Sequence, residues 1–310
     1  MKQIELSIVC PAYNEADNLS ELIRQIVVSL DRKINYEIII VDDGSTDSTL
    51  SVIRKIAKKN THVKCLSLSR NFGHQRALLA GLYEACGQVI ITMDSDLQHP
   101  PKYLSKMFDS ILEGSDMVVM QKKNIKNESL FRATCRSVWY FFMSRFSGVR
   151  VIPNASDFRA YKRWIVDYVK DSHDSDPIIR ILSVEIARDI KIIPFQPADR
   201  FAGISKYTLK KLIRFAWDGI IQYSTMPVKL FFLMGLILIL ISSVYTVYAV
   251  IERLINPNSA SGGFTSIFLF MTLSNSMIIT FLGFLGMKLI RLESEVKKRP
   301  IFVIKERVNI

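Results

Sequence analysis

Four short apolar runs, each ended by polar residues and followed by a helical pattern, limit what this 310-residue chain can fold into. Residues 6–10, 36–41, 63–68 and 89–93 are too apolar to face water, so each reads as a buried strand. Between them Leu19, Leu22, Ile23 and Ile26, then Leu50, Ile53 and Ile56, recur at helical spacing. Asp17 or Asn18 can cap the first helix, and Gly87 can end a third over 74–86. A fourth helix is expected over 102–113 and a fifth strand over 116–120. Strand and helix in alternation with short connections predict an α/β fold, a parallel doubly wound sheet with right-handed crossovers.

In open α/β sheets, ligands bind outside the carboxyl ends of the strands. Here those ends carry Pro11, Tyr13, Asn14 and Glu15; then Asp42 and Asp43; then Ser69 to Gly73; then Asp94, Ser95, Asp96 and Gln98. The last cluster is the most informative, because an apolar strand runs straight into two carboxylates one residue apart. Pro100 and Pro101 then stop the extended segment and suit a helix's first turn. Two hard oxygen donors so spaced can share a divalent cation that also takes diphosphate oxygens. A solvated acidic turn is the commoner use of such a string, and only its place after a buried strand argues otherwise. No G-x-G-x-x-G follows the first strand, which disfavours a nicotinamide or flavin dinucleotide fold.

Beyond the fifth strand the pattern loosens. Residues 129–146 read as an aromatic-rich helix facing the core, and 154–161 as a loop entering a short strand. Residues 178–187 read as helix, 190–195 as strand, and 200–207 as a polar loop. The acidic segment 173–176 reads as a solvated loop. Cys10, Cys65, Cys86 and Cys135 lie far apart with no C-x-x-C, and three of them fall in apolar segments, which implies reduced, packed thiols in a cytosolic domain. Four scattered histidines argue against a zinc site. The net charge of +12 permits nucleic acid, anionic lipid or phosphorylated substrates. Without zinc-finger spacing or a stacking motif, nucleic acid is the least supported partner. The polar start, followed by a short apolar run, is not the pattern of a signal peptide.

Two long apolar segments follow, at 230–251 and 264–287, and the first carries no charge. About 20 such residues cross a bilayer core, so both are expected to span a membrane. The second carries Thr272, Ser274, Asn275, Ser276 and Thr280, a polar face suited to packing on a neighbouring helix and to self-association. The connecting loop has one basic residue, Arg253, whereas the flanks hold Lys206, Lys210, Lys211, Arg214 and Lys229 before, and Lys288, Arg291, Lys297, Lys298 and Arg299 after. Positive residues stay on the cytoplasmic side, which places both termini and the α/β domain there. Residues 209–221 have the spacing of an amphipathic helix in the headgroup layer, and Pro227 separates it from the first span. The expected organisation is an α/β domain over 1–207, an interfacial helix over 208–226, two spans over 227–290 and a basic tail over 291–310.

Taken in order, the residues resemble a known family. Pro11-Ala12-Tyr13-Asn14-Glu15, Val41-Asp42-Asp43-Gly44-Ser45, Ser69 to His74, Asp94-Ser95-Asp96-Leu97-Gln98, Ser156-Asp157-Phe158-Arg159 and Arg200 to Tyr207 look like the motifs of a GT-A-fold glycosyltransferase of family two. The likeness is to the polyprenyl-phosphate branch, which includes bactoprenol glucosyltransferases and dolichyl-phosphate mannose synthases. It covers nearly the whole chain, and the two spans match the bactoprenol members. It implies transfer of one hexose, glucose being the expected one, from a UDP-sugar to undecaprenyl phosphate, with inversion. The setting would be the cytoplasmic face of a bacterial plasma membrane.

Carried over by position, the resemblance puts Pro11, Tyr13, Asn14, Glu15, Val41, Asp42, Asp43, Asp94 and Ser95 around the nucleotide. It gives Asp94, Asp96 and Gln98 a Mg2+ or Mn2+ ion and makes Asp157 the catalytic base or an orienting group. It gives Lys122, Arg200 and Lys206 contacts to phosphate of donor or lipid acceptor. Lys122 stands where mannose synthases have arginine, which keeps the charge but loses the bidentate fork. Two other readings stay open: the same fold acting on diacylglycerol or a glycan lipid, and a non-catalytic sugar-lipid binding protein.

Overall fold

The computed structural model describes residues 3–30, 34–123, 152–172, 177–198, 226–255, 263–297 and 300–309. The helix expected over 129–146, the acidic segment 173–176, the interfacial segment 209–221, and Arg200 and Lys206 lie outside these residues. Contacts divide the chain into two units. One comprises Met1–Tyr140, Val149–Lys206 and Arg299–Ile310, the other Phe141–Gly148 and Tyr207–Lys298.

The first unit is built on strands β1 (Leu6–Ala12), β2 (Tyr36–Asp42), β3 (Val63–Leu68), β4 (Val89–Thr92), β5 (Met117–Lys122), β6 (Ala155–Lys162), β7 (Ile190–Phe195) and β8 (Ile304–Val308). Its helices are α1 (Ala16–Ser29), α2 (Thr49–Lys59), α3 (His74–Glu84), α4 (Leu104–Leu112), α5 (Arg163–Asp171) and α6 (Ile179–Ile186). The eight strands form one sheet in the order β7-β5-β6-β4-β1-β2-β3-β8. Side chains alternate between its faces, as the pleat requires. Leu6, Ile8 and Cys10 of β1 join Ile38 and Ile40 in a core under α1, α2 and α4. Val9, Ile39, Val41 and Ile90 join a second core under α3, α5 and α6. Gly81 lets α3 lie close on the sheet: a Cβ there would come 2.4 Å from Val9 Cγ1 and 2.8 Å from Val41 Cγ2.

The sheet is mixed rather than parallel throughout. Strands β1 to β4 run parallel as expected, but β6 enters antiparallel between β4 and β5. A loop entering a short strand is expected at 154–161; the strand instead starts at Ala155 and takes in Ser156, Asp157 and Arg159, polar residues that read as loop. Arg159 is nevertheless 1% exposed, its Nε bonded to Ser156 O and its Nη1 to Arg180 O. Helix α3 stops at Glu84, before the expected Gly87. Gly87 instead packs against β1, and its N–H donates to Ser7 Oγ at 2.8 Å. Residues 304–308, read as part of a basic tail, pair antiparallel with β3 as an edge strand. Arg54 of α2 binds Glu306, and Ser69 N donates to Val303 O at 2.9 Å.

The described part of the second unit is two long helices, α7 (Met226–Ile255) and α8 (Gly263–Lys297). They contain the two apolar segments. Among the described residues, α8 holds one stretch, Leu273–Ile290, long and apolar enough to cross a membrane, with mean hydropathy 1.5. Pro227 falls in the first turn of α7, where its missing N–H is harmless.

Candidate active site

The loops after β1, β2 and β3 are tied together by the polar residues that end those strands. Asn14, at φ 55°, donates its backbone N–H to Ser45 Oγ at 3.0 Å and accepts from Thr46 N at 2.9 Å through Oδ1. Asp42 accepts from Ser45 N and Ser67 Oγ, both at 3.1 Å. Asp43 accepts from Phe72 N at 2.7 Å and Gly73 N at 3.0 Å. Burial pushes the Asp43 carboxyl up, against the pull of those two amides. The side chains of Asn14, Asp42 and Asp43 therefore fix these loops against one another. Val41 is wholly buried under α3, so any contact it offers a ligand is through its main chain. Pro11 is also buried, and Tyr13 and Glu15 are half-buried.

Beyond β4 the chain turns sharply. Ser95 Oγ donates to Pro11 O at 2.8 Å, joining this loop to the end of β1. Leu97 is left-handed at φ 62°, which is uncommon for leucine, and is held there by burial of its side chain. Gln98 N donates to Asp96 Oδ1 at 3.1 Å. Asp94 N donates to His99 Nδ1 at 2.9 Å, so the hydrogen of the neutral ring is on Nε2, which lies 3.5 Å from Asp94 Oδ2. His99 is 1% exposed and stacks on Phe158, and burial keeps its pKa down.

Asp94 Oδ1 is buried and has no hydrogen-bond partner. His74 Nε2, on the first residue of α3, lies 3.5 Å from it and 3.4 Å from Asp157 Oδ2. Burial disfavours the imidazolium, but the bond to Asp157 and the charges of Asp94 and Asp157 outweigh it and push His74 up to about 9. Asp157 projects from β6, whose pairing with β4 brings it beside the end of that strand; Thr92 Oγ1 donates to Asp157 O at 2.6 Å. Its carboxylate takes Arg180 Nε at 2.9 Å, Arg180 Nη2 at 2.5 Å and Gln75 Nε2 at 3.2 Å. Burial pushes Asp157 up, yet the Arg180 charge and the His74 and Arg180 bonds hold it well below the usual carboxylate range. A carboxylate held so low and so occupied is a weak base.

The structure thus gathers Asp94, Ser95 and Asp157, with Asp96 and Gln98 on the next turn of chain. Lys122, at the end of β5, is half-buried and near enough to lower the pKa of His99 by its charge. His74, Gln75, His99 and Arg180 escape a reading of the sequence as site side chains. His74 and His99 fall inside stretches that stand out, but Arg180 lies in an amphipathic helix with no local signal. The scattered histidines do converge, two of them on Asp94. Among the described residues no group of three or more His, Cys, Asp and Glu side chains is gathered for a metal ion.

The model described as Glycosyl transferase family 2 matches residues 7–169. The chain belongs to glycosyl transferase family 2. It is 31% identical over 310 residues to the undecaprenyl-phosphate 4-deoxy-4-formamido-L-arabinose transferase of Klebsiella pneumoniae, covering 98% of this chain and 94% of that one. It is 33% identical over 304 residues to an uncharacterized glycosyltransferase of Synechocystis sp., covering 98% and 95%. Glucosyl-3-phosphoglycerate synthase from Mycobacterium tuberculosis, solved with Mn2+, UDP and phosphoglyceric acid, has the same fold at 20% identity, with TM-score 0.51 over 71% of this chain and 77% of that one. The family 2 chain is therefore a glycosyltransferase with a GT-A-like α/β domain, and its relatives include transferases named for undecaprenyl phosphate. The buried Asp94 Oδ1, which accepts no hydrogen bond, is the kind of hard donor a divalent ion takes in a diphosphate site.

Proposed function

We propose that this family 2 enzyme moves one hexose, glucose in the simplest case, from a UDP-sugar to undecaprenyl phosphate and releases UDP. The observation that carries the reading is Asp94: a buried carboxylate oxygen that accepts no hydrogen bond and has only the His74 ring 3.5 Å away, just beyond the end of β4, where a diphosphate would lie. The end-to-end similarity to an undecaprenyl-phosphate transferase supports the acceptor. The apolar helices α7 and α8 support a membrane setting, with both proposed to span the bilayer and both termini on the cytoplasmic side.

In the proposed reaction an oxygen of the lipid phosphate bonds to the anomeric carbon as the bond from that carbon to the donor diphosphate breaks, with inversion. Asp94 and Asp96, with Gln98, would hold Mg2+ or Mn2+. Such an ion neutralises charge on a departing diphosphate. The second pKa of a phosphate monoester is about 6, so the attacking oxygen is already ionised at neutral pH and needs no strong base. This agrees with an Asp157 that Arg180 and Gln75 occupy: its task is orientation. In-line placement of acceptor and leaving group supplies much of the acceleration. Lys122, Arg200 and Lys206 are proposed to meet phosphate oxygens of donor or acceptor. Tyr13, Glu15 and the main chain of Val41 are proposed to line the nucleotide.

The test is transfer of label from a panel of nucleotide sugars to undecaprenyl phosphate by the purified full chain, with diacylglycerol offered separately. Label in the polyprenyl lipid is the expected product. Label in diacylglycerol alone would transfer the activity to another lipid, and nucleotide binding without turnover on any donor would make the chain a binding protein.

A further inference from the structure

A second buried acceptor beside Asp157, Gln75 Oε1, also has no hydrogen-bond partner. Its direction is fixed by its neighbours. Asp157, clamped by both Arg180 Nε and Nη2, is an ionised acceptor and offers no hydrogen. Gln75 meets it at 3.2 Å and must turn its NH2 group toward it. A flipped amide would set two oxygens face to face, which fixes the amide orientation. The carbonyl oxygen of Gln75 is then directed away from Asp157, and it stays buried without a donor. An acceptor left so loses its hydration with nothing in return.

His74, the preceding residue, shares the same Asp157 oxygen and reaches Asp94 Oδ1. Gln75 thus belongs to the cluster around Asp94 Oδ1, which also accepts no hydrogen bond. A neutral amide oxygen is matched by a neutral O–H donor. The part of a nucleotide-sugar rich in neutral hydroxyls is the hexose. We propose that Gln75 is a specificity-determining residue that accepts a hydrogen bond from a hydroxyl of the donor hexose, its amide held in register by Asp157 and Arg180. The proposal rests on the reading of the chain as a nucleotide-sugar transferase.

The test compares binding of UDP with that of UDP-glucose, UDP-galactose and UDP-N-acetylglucosamine by calorimetry, using the full detergent-solubilised chain with Mg2+. In Gln75→Ala the affinity for the preferred UDP-hexose should fall about five- to tenfold, the loss of one neutral hydrogen bond. Affinity for UDP should stay within about twofold, which also shows that the variant is folded. One deoxy form of that hexose donor should bind the unaltered chain as weakly as the variant binds the full sugar, and the variant should not weaken it further. Equal losses for UDP and UDP-hexose would reduce Gln75 to a structural role and overturn the proposal. So would unchanged affinities, which would make a buried water the missing donor, and so would a hexose that adds nothing to UDP binding in the unaltered chain. Failure of the unaltered chain to bind UDP at all would instead remove the donor reading itself.

Discussion

Arg180 grips Asp157 with two N–H···O bonds, Nε to Oδ1 at 2.9 Å and Nη2 to Oδ2 at 2.5 Å, joining α6 to the central strand β6. The pair decides what Asp157 can do. An aspartate with both oxygens engaged, and its pKa held low, is suited to fixing His74 and Gln75 in place rather than to taking a proton.

Breaking that pair should therefore harm stability as well as activity. Arg180→Ala is expected to cost about 2 kcal/mol in urea unfolding, below the usual toll for stranding a buried charge because the Arg180 side chain is 35% exposed. Adding Asp157→Asn should recover part of the loss, since the stranded charge is gone. Additive losses would show that the two side chains do not share their energy.

On the proposed reading, in which Asp94 holds the leaving group's counter-ion, Asp94→Ala should lower sugar transfer at least about a hundredfold. Chelation of divalent ions should lower the activity of the unaltered chain to a similar extent. Transfer unaffected by either change would refute the metal role.

Gly81→Ala sets two effects against each other. Alanine favours a helix over glycine by about 1 kcal/mol. The added Cβ, however, would lie 2.4 Å from Val9 Cγ1 and 2.8 Å from Val41 Cγ2, and overpacking a core costs about 1–3 kcal/mol. Both contacts are methyls of β-branched strand residues with little freedom to move, so a net loss is expected in thermal or urea unfolding. A stabilised variant would mean that α3 can lift from the sheet.

Asp116, at the opposite end of β5 from Lys122, predicts a pH effect on stability. Burial pushes its carboxyl up, but the Lys162 bond at 3.0 Å, the Asp189 and Arg188 amides and the Lys162 charge bring it net below its ordinary value. A carboxylate lowered on folding adds stability that is present above its unfolded pKa, about 3.9, and is lost as pH falls through the folded value. Asp116→Asn should thus be less stable than the unaltered chain at pH 7, and the gap should close as pH falls below about 4. A gap independent of pH would make the effect steric.

Removal of residues 301–310 should weaken nucleotide binding several-fold, measured by calorimetry with UDP. Strand β8 pairs with β3, and Val303 O accepts from Ser69 N at the root of the loop that Asp43 holds and that leads to His74. Unchanged UDP affinity would leave β8 an edge cover only.

Much of the fold could be read from the chain itself. Strands β1 to β4, helices α1 to α4 and β7 follow from local periodicity, because each buries one kind of face and the residues that end it are polar. The loops at the carboxyl ends of those strands were legible for the same reason, and so was the place of Asp94 just beyond a buried strand. The resemblance of six motifs in order then pointed to the family that the whole-chain similarity establishes.

What the sequence determined was the set of segments that must be buried and the carboxylates stationed at their ends. What only the tertiary structure decided was which distant polar residues meet there. Burying Asp157 and Arg159 in a central strand is tolerable only because Arg180, Gln75 and main-chain oxygens satisfy them, and those partners come from other elements. The energy of a buried charge depends on its surroundings, not on its neighbours in sequence, so periodicity read the start of β6 as loop before a short strand and gave Arg180 no role. The same holds for residues 304–308: five residues of mixed polarity become a strand because β3 leaves them an open edge.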